Sequence, residues 1–211
     1  MMRDYLSIDD IKTKEKTILC RLDLNSPMDP KGIILDDSRF RSHVSTLKEL
    51  EESKVVILSH QSRPGKSDFT TMEPHSKLLS KLMRREISYI DDIFGSNAIE
   101  SIRGMDTGEI ILLENSRFYS EESLERKPQE HAKTHMVKRL SKVCDIFMND
   151  AFSVSHRSHL SVTGFTPVLP SIAGRVMEKE IDSLNKGLSC GERPCLYVLG
   201  GAKVDDSIKV T

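Results

Sequence analysis

No apolar run in this chain is longer than five residues, Cys195 to Leu199, whereas a helix that crosses a bilayer needs about 20. No membrane partner is therefore expected. A charge surplus of one sign is missing too, since 31 Lys and Arg stand against 32 Asp and Glu. Sequence-independent binding to nucleic acid needs excess cations on one face, so no nucleic-acid partner is expected. The four cysteines, Cys20, Cys144, Cys190 and Cys195, contain no CxxC pair, which argues against a disulfide framework or a zinc site. His131 and His135 stand four apart on a predicted helix, but no third ligand is spaced to join them, and they read as a solvated face. No metal site is expected. The N-terminal MMRDYLSIDDIK lacks an apolar signal core and carries acids that a transit peptide avoids, so the expected location is cytoplasmic.

Apolar residues make up 37% of the 211 residues, far above the composition of a disordered chain. The length allows one large domain or two modest ones. Short apolar runs recur at Thr17–Cys20, Val55–Leu58, Ile87–Ile90, Ile110–Leu113, Val143–Met148 and Cys195–Leu199. Most are unbroken rather than alternating, as in strands buried on both faces of a parallel sheet. Between them run segments of helical period: Phe40, Val44, Leu47 and Leu50; Leu78, Leu79, Leu82 and Met83; Ala132, Met136, Val137 and Leu140. A further helix is predicted from Ala173 to Leu188, with Gly187 near its stop, and Pro167 and Pro170 ahead of it mark a candidate hinge. Strand and helix alternate with crossovers too long for hairpins, which predicts βαβ units and an α/β sandwich.

Open α/β sheets bind ligands beyond the carboxyl ends of their strands, so the residues that follow each run are the informative ones. They are Arg21-Leu-Asp23-Leu-Asn25, then Ser59-His60-Gln-Ser-Arg63-Pro-Gly65, then Glu114-Asn115-Ser-Arg117, then Asn149-Asp150 through His156-Arg157-Ser-His159. Arg39, opening the helix after the Asp36-Asp37-Ser38 cap signal, joins the same edge. Any one of these arginines, taken alone, reads as a surface residue paired with a nearby acid. Their shared position at strand ends points instead to a small polyanion, because a guanidinium fork suits phosphate and carboxylate oxygens. Arg21, immediately after a strand and beside Asp23, reads as a structural partner first and as a ligand contact second. Asp23 and Asn25 add acceptors, which suit a ligand that also carries a hydroxyl.

After the last run comes Gly200-Gly201-Ala202-Lys203-Val-Asp205-Asp206-Ser207. Paired glycines before a helix start let backbone N–H groups approach a phosphate, although a plain tight turn reads equally well. No GxGxxG or GxxxxGK[ST] segment is present, so neither a dinucleotide nor a Walker reading is supported.

Taken together, RLDLNSP, SHQSRPG, LLENSRF, NDAFSVSHRSH and LGGAKVDD resemble, in order, the motifs of the phosphoglycerate kinase family, of an archaeal type, over about Thr17 to Asp206. The resemblance implies a Rossmann-like three-layer α/β/α sandwich with a mainly parallel sheet, plus the start of a second α/β lobe. Residues 1–172 would be a 3-phosphoglycerate-binding lobe, 173–190 an interdomain helix, and 191–211 the first strand and turn of a nucleotide lobe. It further implies reversible phosphoryl transfer between 1,3-bisphosphoglycerate and ADP, giving 3-phosphoglycerate and ATP, with Mg2+ carried on the nucleotide. Asp23 and Asn25 would hold the glycerate hydroxyl and carboxyl end, and His60, Arg63, Arg117 and Arg157 its phosphate. Arg39 would reach the transferring phosphoryl group, and Gly200, Gly201 and Lys203 would meet it from the nucleotide side.

Two departures stand out. Ser207 occupies a position where many members of the family carry a second lysine, and Lys209, about 200° further round a helix, is a poor substitute. The family is also about twice this length. The 211 residues alone are therefore expected to bind without turnover, and a non-catalytic protein that binds phosphate ligands is the alternative reading.

Overall fold

The computed structural model describes residues 4–188 and Leu196. The chain falls into two compact units, one reaching Glu180 and the other starting at Ile181. In the first unit six strands form one parallel sheet: β1 (Thr17–Arg21), β2 (Lys54–Leu58), β3 (Ser88–Ile90), β4 (Ile110–Leu113), β5 (Ile146–Asn149) and β6 (Ser171–Ala173). Their order is β3-β4-β2-β1-β5-β6. Each crossover carries helix: α1 (Ser38–Glu49), α2 (Glu73–Met83), α3 (Ser96–Gly104), the short α4 (Pro128–His131) and α5 (His135–Leu140), and α6 (Leu160–Thr163). α7 (Arg175–Leu188) follows β6.

The unbroken strands have the predicted consequence. Ile18 and Cys20 of β1, Val55 and Ile57 of β2, and Ile110 and Leu112 of β4 face one apolar layer, with Phe40 and Leu47 of α1 and Leu79 of α2. Their alternates Leu19, Val56, Leu58, Ile111 and Leu113 face the opposite layer, with Ile99 and Ile102 of α3, Met136 and Leu140 of α5 and Leu160 of α6. Successive side chains on a strand point to opposite faces, so a strand covered on both sides is apolar throughout. The chain steps one way across the sheet from β1 to β3 and the other way from β3 to β6. With crossovers of one hand, that reversal places α1 and α2 on one face and α3, α5 and α6 on the other. The result is the expected three-layer α/β/α sandwich.

Some local expectations change. β6, α3 and α6 were not foreseen, being short or weakly periodic, and the predicted helix over Ala132–Leu140 is broken. Thr134 is extended (φ −68°, ψ 158°), so His131 closes α4 and His135 opens α5. His131 is fully buried, its Nε2 2.7 Å from the Ser158 carbonyl, whereas His135 is exposed. They share no solvated face. The helix predicted from Ala173 starts at Arg175, because Ala173 pairs with Asn149 in the sheet. Cys20 and Cys144 are buried free thiols, and burial pushes Cys144 up to about 12. Cys190, Cys195 and the run Cys195–Leu199, apart from the exposed Leu196, lie outside the described residues. No helix among the described residues is long and apolar enough to cross a membrane.

Candidate functional site

β4, β2, β1 and β5 are consecutive neighbours in the sheet, so the four strand ends richest in polar residues open side by side. Along their edge lies a cavity of about 570 Å³. Its walls are Asp23 and Asn25 after β1; Arg39 in the first turn of α1; His60, Arg63 and Pro64 after β2; Arg117, Tyr119, Ser120 and Ser123 after β4; and Ser153, Val154, Arg157 and His159 after β5. All seven candidates within the described residues, Asp23, Asn25, Arg39, His60, Arg63, Arg117 and Arg157, meet there. Gly200, Gly201, Lys203 and Ser207 lie outside the described residues. A second hollow of about 470 Å³ shares Asn25, Arg39, Arg63 and Arg117 and adds Lys66.

The loops at this edge are cross-linked. Ser59 Oγ donates to the Leu22 carbonyl at 2.9 Å and accepts from Leu24 N–H at 3.1 Å, joining the β1 and β2 ends. Asn115 Nδ2 donates to the Gln61 carbonyl (3.0 Å) and to that of Thr70 (2.8 Å), joining the β4 end to the β2 loop. Ser62 sits in the left-handed region at φ 56°, which a residue with a Cβ adopts only when its surroundings hold it there. It is held by its N–H donating to Asn25 Oδ1 (2.7 Å), its hydroxyl donating to Asp68 Oδ1 (2.5 Å), and its carbonyl accepting from the Arg117 guanidinium. That turn brings Arg63 to the wall.

Charge at the cavity is unbalanced. Arg39 is paired with Asp23, whose same carboxylate oxygen accepts from the Ser153 hydroxyl. No carboxylate lies within ion-pair distance of Arg63, Arg117 or Arg157 among the described residues. The histidines register the excess. Burial, then Arg21, Arg117, Arg157 and His159, holds His60 well below the ordinary imidazole range. Burial, then Arg117 and Arg157, holds His159 at about 4 against the opposing pull of Glu125. Arg117 is itself lowered, first by burial and then by Arg157. Like charges left unpaired in a half-buried cleft make it a candidate anion site.

Arg21 takes no part in the wall. It is 1% exposed and donates from Nε to Ser161 Oγ (2.9 Å), from Nη1 to the Leu22 carbonyl, and from Nη2 towards His60 Nδ1 (2.8 Å). Of its two sequence readings, structural partner and ligand contact, the buried position corresponds to the first. Sequence reasoning left His159, Tyr119, Ser120, Ser123 and Ser153 off the candidate set. His159 was legible, two residues after Arg157 on the same strand-end segment, whereas an isolated serine or tyrosine in a loop carries no signal before the fold is known. No cluster of three or more His, Cys, Asp or Glu side chains that could hold a metal ion occurs among the described residues.

The arrangement can fix a small ligand carrying a phosphate against Arg63, Arg117, Arg157 and neutral imidazole, with Asp23 and Asn25 nearby for hydroxyl or carboxyl groups. The family model described as phosphoglycerate kinase matches residues 8–211. A phosphoglycerate kinase of Methanosarcina mazei is 64% identical over 99% of this chain and 50% of its own length, and one of Archaeoglobus fulgidus is 54% identical over 100% of this chain and 51% of its own. A crystal structure of phosphoglycerate kinase from Pyrococcus horikoshii OT3 superposes with a TM-score of 0.94 at 45% identity, covering 97% of this chain and 51% of that one. The chain spans about half the length of the relatives it matches. With the family model covering the chain from residue 8 to residue 211 and the fold shared with its solved structures, this chain belongs to the phosphoglycerate kinase family.

Proposed function

We propose that the described lobe is the 3-phosphoglycerate and 1,3-bisphosphoglycerate side of a cytoplasmic, glycolytic phosphoglycerate kinase. In this reading residues 1–172 are the substrate lobe, 173–190 the interdomain helix and 191–211 the start of the nucleotide lobe. The observation that carries it is the set of three arginines, Arg63, Arg117 and Arg157, facing one cavity without a carboxylate partner among the described residues. Family membership and the agreement of five motifs in order support the choice of ligand.

The residues divide by chemistry. Arg63, Arg117, Arg157 and His60 bind the C3 phosphate by charge-assisted hydrogen bonds. Asn25 engages Ser62 N–H through Oδ1, which leaves its amide N–H groups for the glycerate hydroxyl or carboxylate, and Asp23 accepts from the hydroxyl. Arg39, held beside Asp23, is the group nearest the carboxylate end and takes the charge that builds on the transferring phosphoryl group. A carboxylate oxygen of the substrate forms a bond to the γ-phosphorus of ATP while the bond from that phosphorus to ADP breaks, and the reverse path regenerates ATP. Such transfer runs through a loose transition state, so the protein contributes position and positive charge rather than a general acid or base. The Mg2+-bound nucleotide supplies the phosphoryl group, with Gly200, Gly201 and Lys203 as its contacts in this chain.

Titration calorimetry of 3-phosphoglycerate into the purified chain tests the reading. Saturable binding of one equivalent, competed by inorganic phosphate at higher concentration, is expected. Absence of binding up to millimolar ligand defeats it.

A further inference from the structure

A neutral imidazole has one nitrogen that donates and one that accepts, and which is which decides whether it can help an anion. A ring turning a lone pair to a phosphate repels it, whereas a ring turning an N–H to it binds it. His60 is 3% exposed and lines the cationic cavity. Its Nδ1 lies 2.8 Å from Arg21 Nη2. A guanidinium has five N–H donors and no acceptor, so Nδ1 must accept and the ring hydrogen must sit on Nε2.

Arg21 is well placed to impose this choice because it is itself immobilised. Its Nε donates to Ser161 Oγ, and Ser161 donates in turn to Glu122, from Oγ at 2.5 Å to Oε1 and from N–H at 3.0 Å to Oε2. Ser116 Oγ adds a third donor to Glu122 Oε1, at 3.3 Å. Arg21 and Glu122 are each 1% exposed, a buried pair of opposite charge bridged by one serine.

We infer that Arg21 is a positioning residue of the anion site: by donating to His60 Nδ1 it holds His60 as the neutral Nε2–H tautomer and thereby turns the imidazole into a hydrogen-bond donor for the cavity. A second proton on the ring would need to enter on Nδ1, against the Arg21 donors from β1. The other charged groups that act most on the ring are Arg117 from the β4 end and Arg157 and His159 from the β5 segment, none of which is an anion, while the acid of the same cavity, Asp23, is paired with Arg39. The cationic surroundings therefore favour one proton on His60, and Arg21 decides where it stands. The value of this donor to 3-phosphoglycerate rests on the function proposed above, but the tautomer itself does not.

The two parts separate experimentally. Long-range 1H–15N correlation spectra of the 15N-labelled chain without ligand, with His60 assigned by its loss in His60→Gln, report which ring nitrogen is protonated. Nδ1 in the unprotonated range and Nε2 in the protonated range are expected at pH 7; a proton on Nδ1, or on both nitrogens, overturns the inference. Arg21→Met is combined with Glu122→Gln so that no unpaired carboxylate is left buried, and Glu122→Gln alone is the control. The double variant should populate Nδ1–H and bind 3-phosphoglycerate about tenfold more weakly, with the single variant, which keeps the Arg21 donor, retaining Nε2–H. An unchanged tautomer in a folded double variant also overturns the inference, and if that variant does not fold the wild-type spectrum still decides. Binding of 3-phosphoglycerate with the wrong tautomer defeats this inference and leaves the function standing. The expected tautomer without binding does the reverse.

Discussion

At Arg63 and Arg157 a guanidinium faces the cavity without a carboxylate partner among the described residues, so truncating either removes attraction for an anion without orphaning a buried acid. Arg63→Ala and Arg157→Ala should each weaken 3-phosphoglycerate binding by ~1.5–3 kcal/mol, the range for hydrogen bonds to charged groups. Calorimetry showing unchanged affinity in both variants would remove the phosphate from this pocket. The histidines make a second prediction. His159 and His75 are held at about 4 and His60 well below the ordinary range, burial being the first cause for each. In the unfolded chain they titrate near 6.5. Between those values the unfolded state binds more protons, so stability rises with pH there and is lost as pH falls from about 6.5 towards 4. Glu122, raised by burial, acts in the opposite sense, one group against three. The urea midpoint should be lower at pH 5 than at pH 7.5; an equal or higher midpoint at pH 5 would contradict the buried-neutral assignment.

Among the elements, β5, α1 and the start of α7 meet at one carboxylate. Asp150 is fully buried. Its Oδ2 accepts from Thr46 Oγ1 and pairs with His43 Nδ1, both at 2.8 Å, and its Oδ1 accepts from the N–H groups of Val176 (2.8 Å) and Met177 (3.2 Å) in the first turn of α7. One carboxylate thus caps α7 and binds it to α1, and His43 Nε2 in turn accepts from Asp23 N–H at 3.2 Å, beside the cavity. Gly174 is required for that approach, since a Cβ there would lie 2.3 Å from Asp150 Oδ1 and 2.4 Å from its Cγ. Gly174→Ala should destabilise the fold by ~1–3 kcal/mol and lower the urea midpoint. A midpoint within error of wild type would mean that the α7 start shifts freely. Sequence reading found α7 and α1 from their apolar spacing but neither β6 nor this junction. Ser171–Ala173 has only three residues, and Asp150 bonds groups more than 100 residues away as well as nearby ones. Nothing local marks it.

For the whole molecule, phosphoryl transfer needs acceptor and donor held in line with cations around the moving group and water excluded. In the function proposed the 211-residue polypeptide supplies the acceptor side, and it spans about half the length of its relatives. It should therefore bind 3-phosphoglycerate without ATP-dependent formation of 1,3-bisphosphoglycerate, and turnover should return when the remaining half of a homologous kinase is fused in cis. A coupled assay free of host enzyme that detects turnover by the 211 residues alone would show that the nucleotide-side groups they hold suffice.

Much was determined by the sequence itself. Unbroken apolar runs separated by helical periods specify a parallel sheet covered on both faces, because a strand buried on both sides has no polar face to alternate. Arginine or histidine after three of those runs, with Asp23 and Asn25 after a fourth, marks the candidate ligand edge, since in such sheets the chain leaves each strand at the same end. What only the tertiary structure decided is adjacency: that the second and fourth strands flank one side of the first and the fifth strand the other, so that Asp23, His60, Arg117 and Arg157 converge on one cavity. It also decided which groups hold Arg21, whose sequence position suggests a structural partnership without naming the partners: Ser161, 140 residues away, and His60. Strand order and side-chain burial are set by contacts between distant segments, and those contacts do not exist until the sheet is assembled.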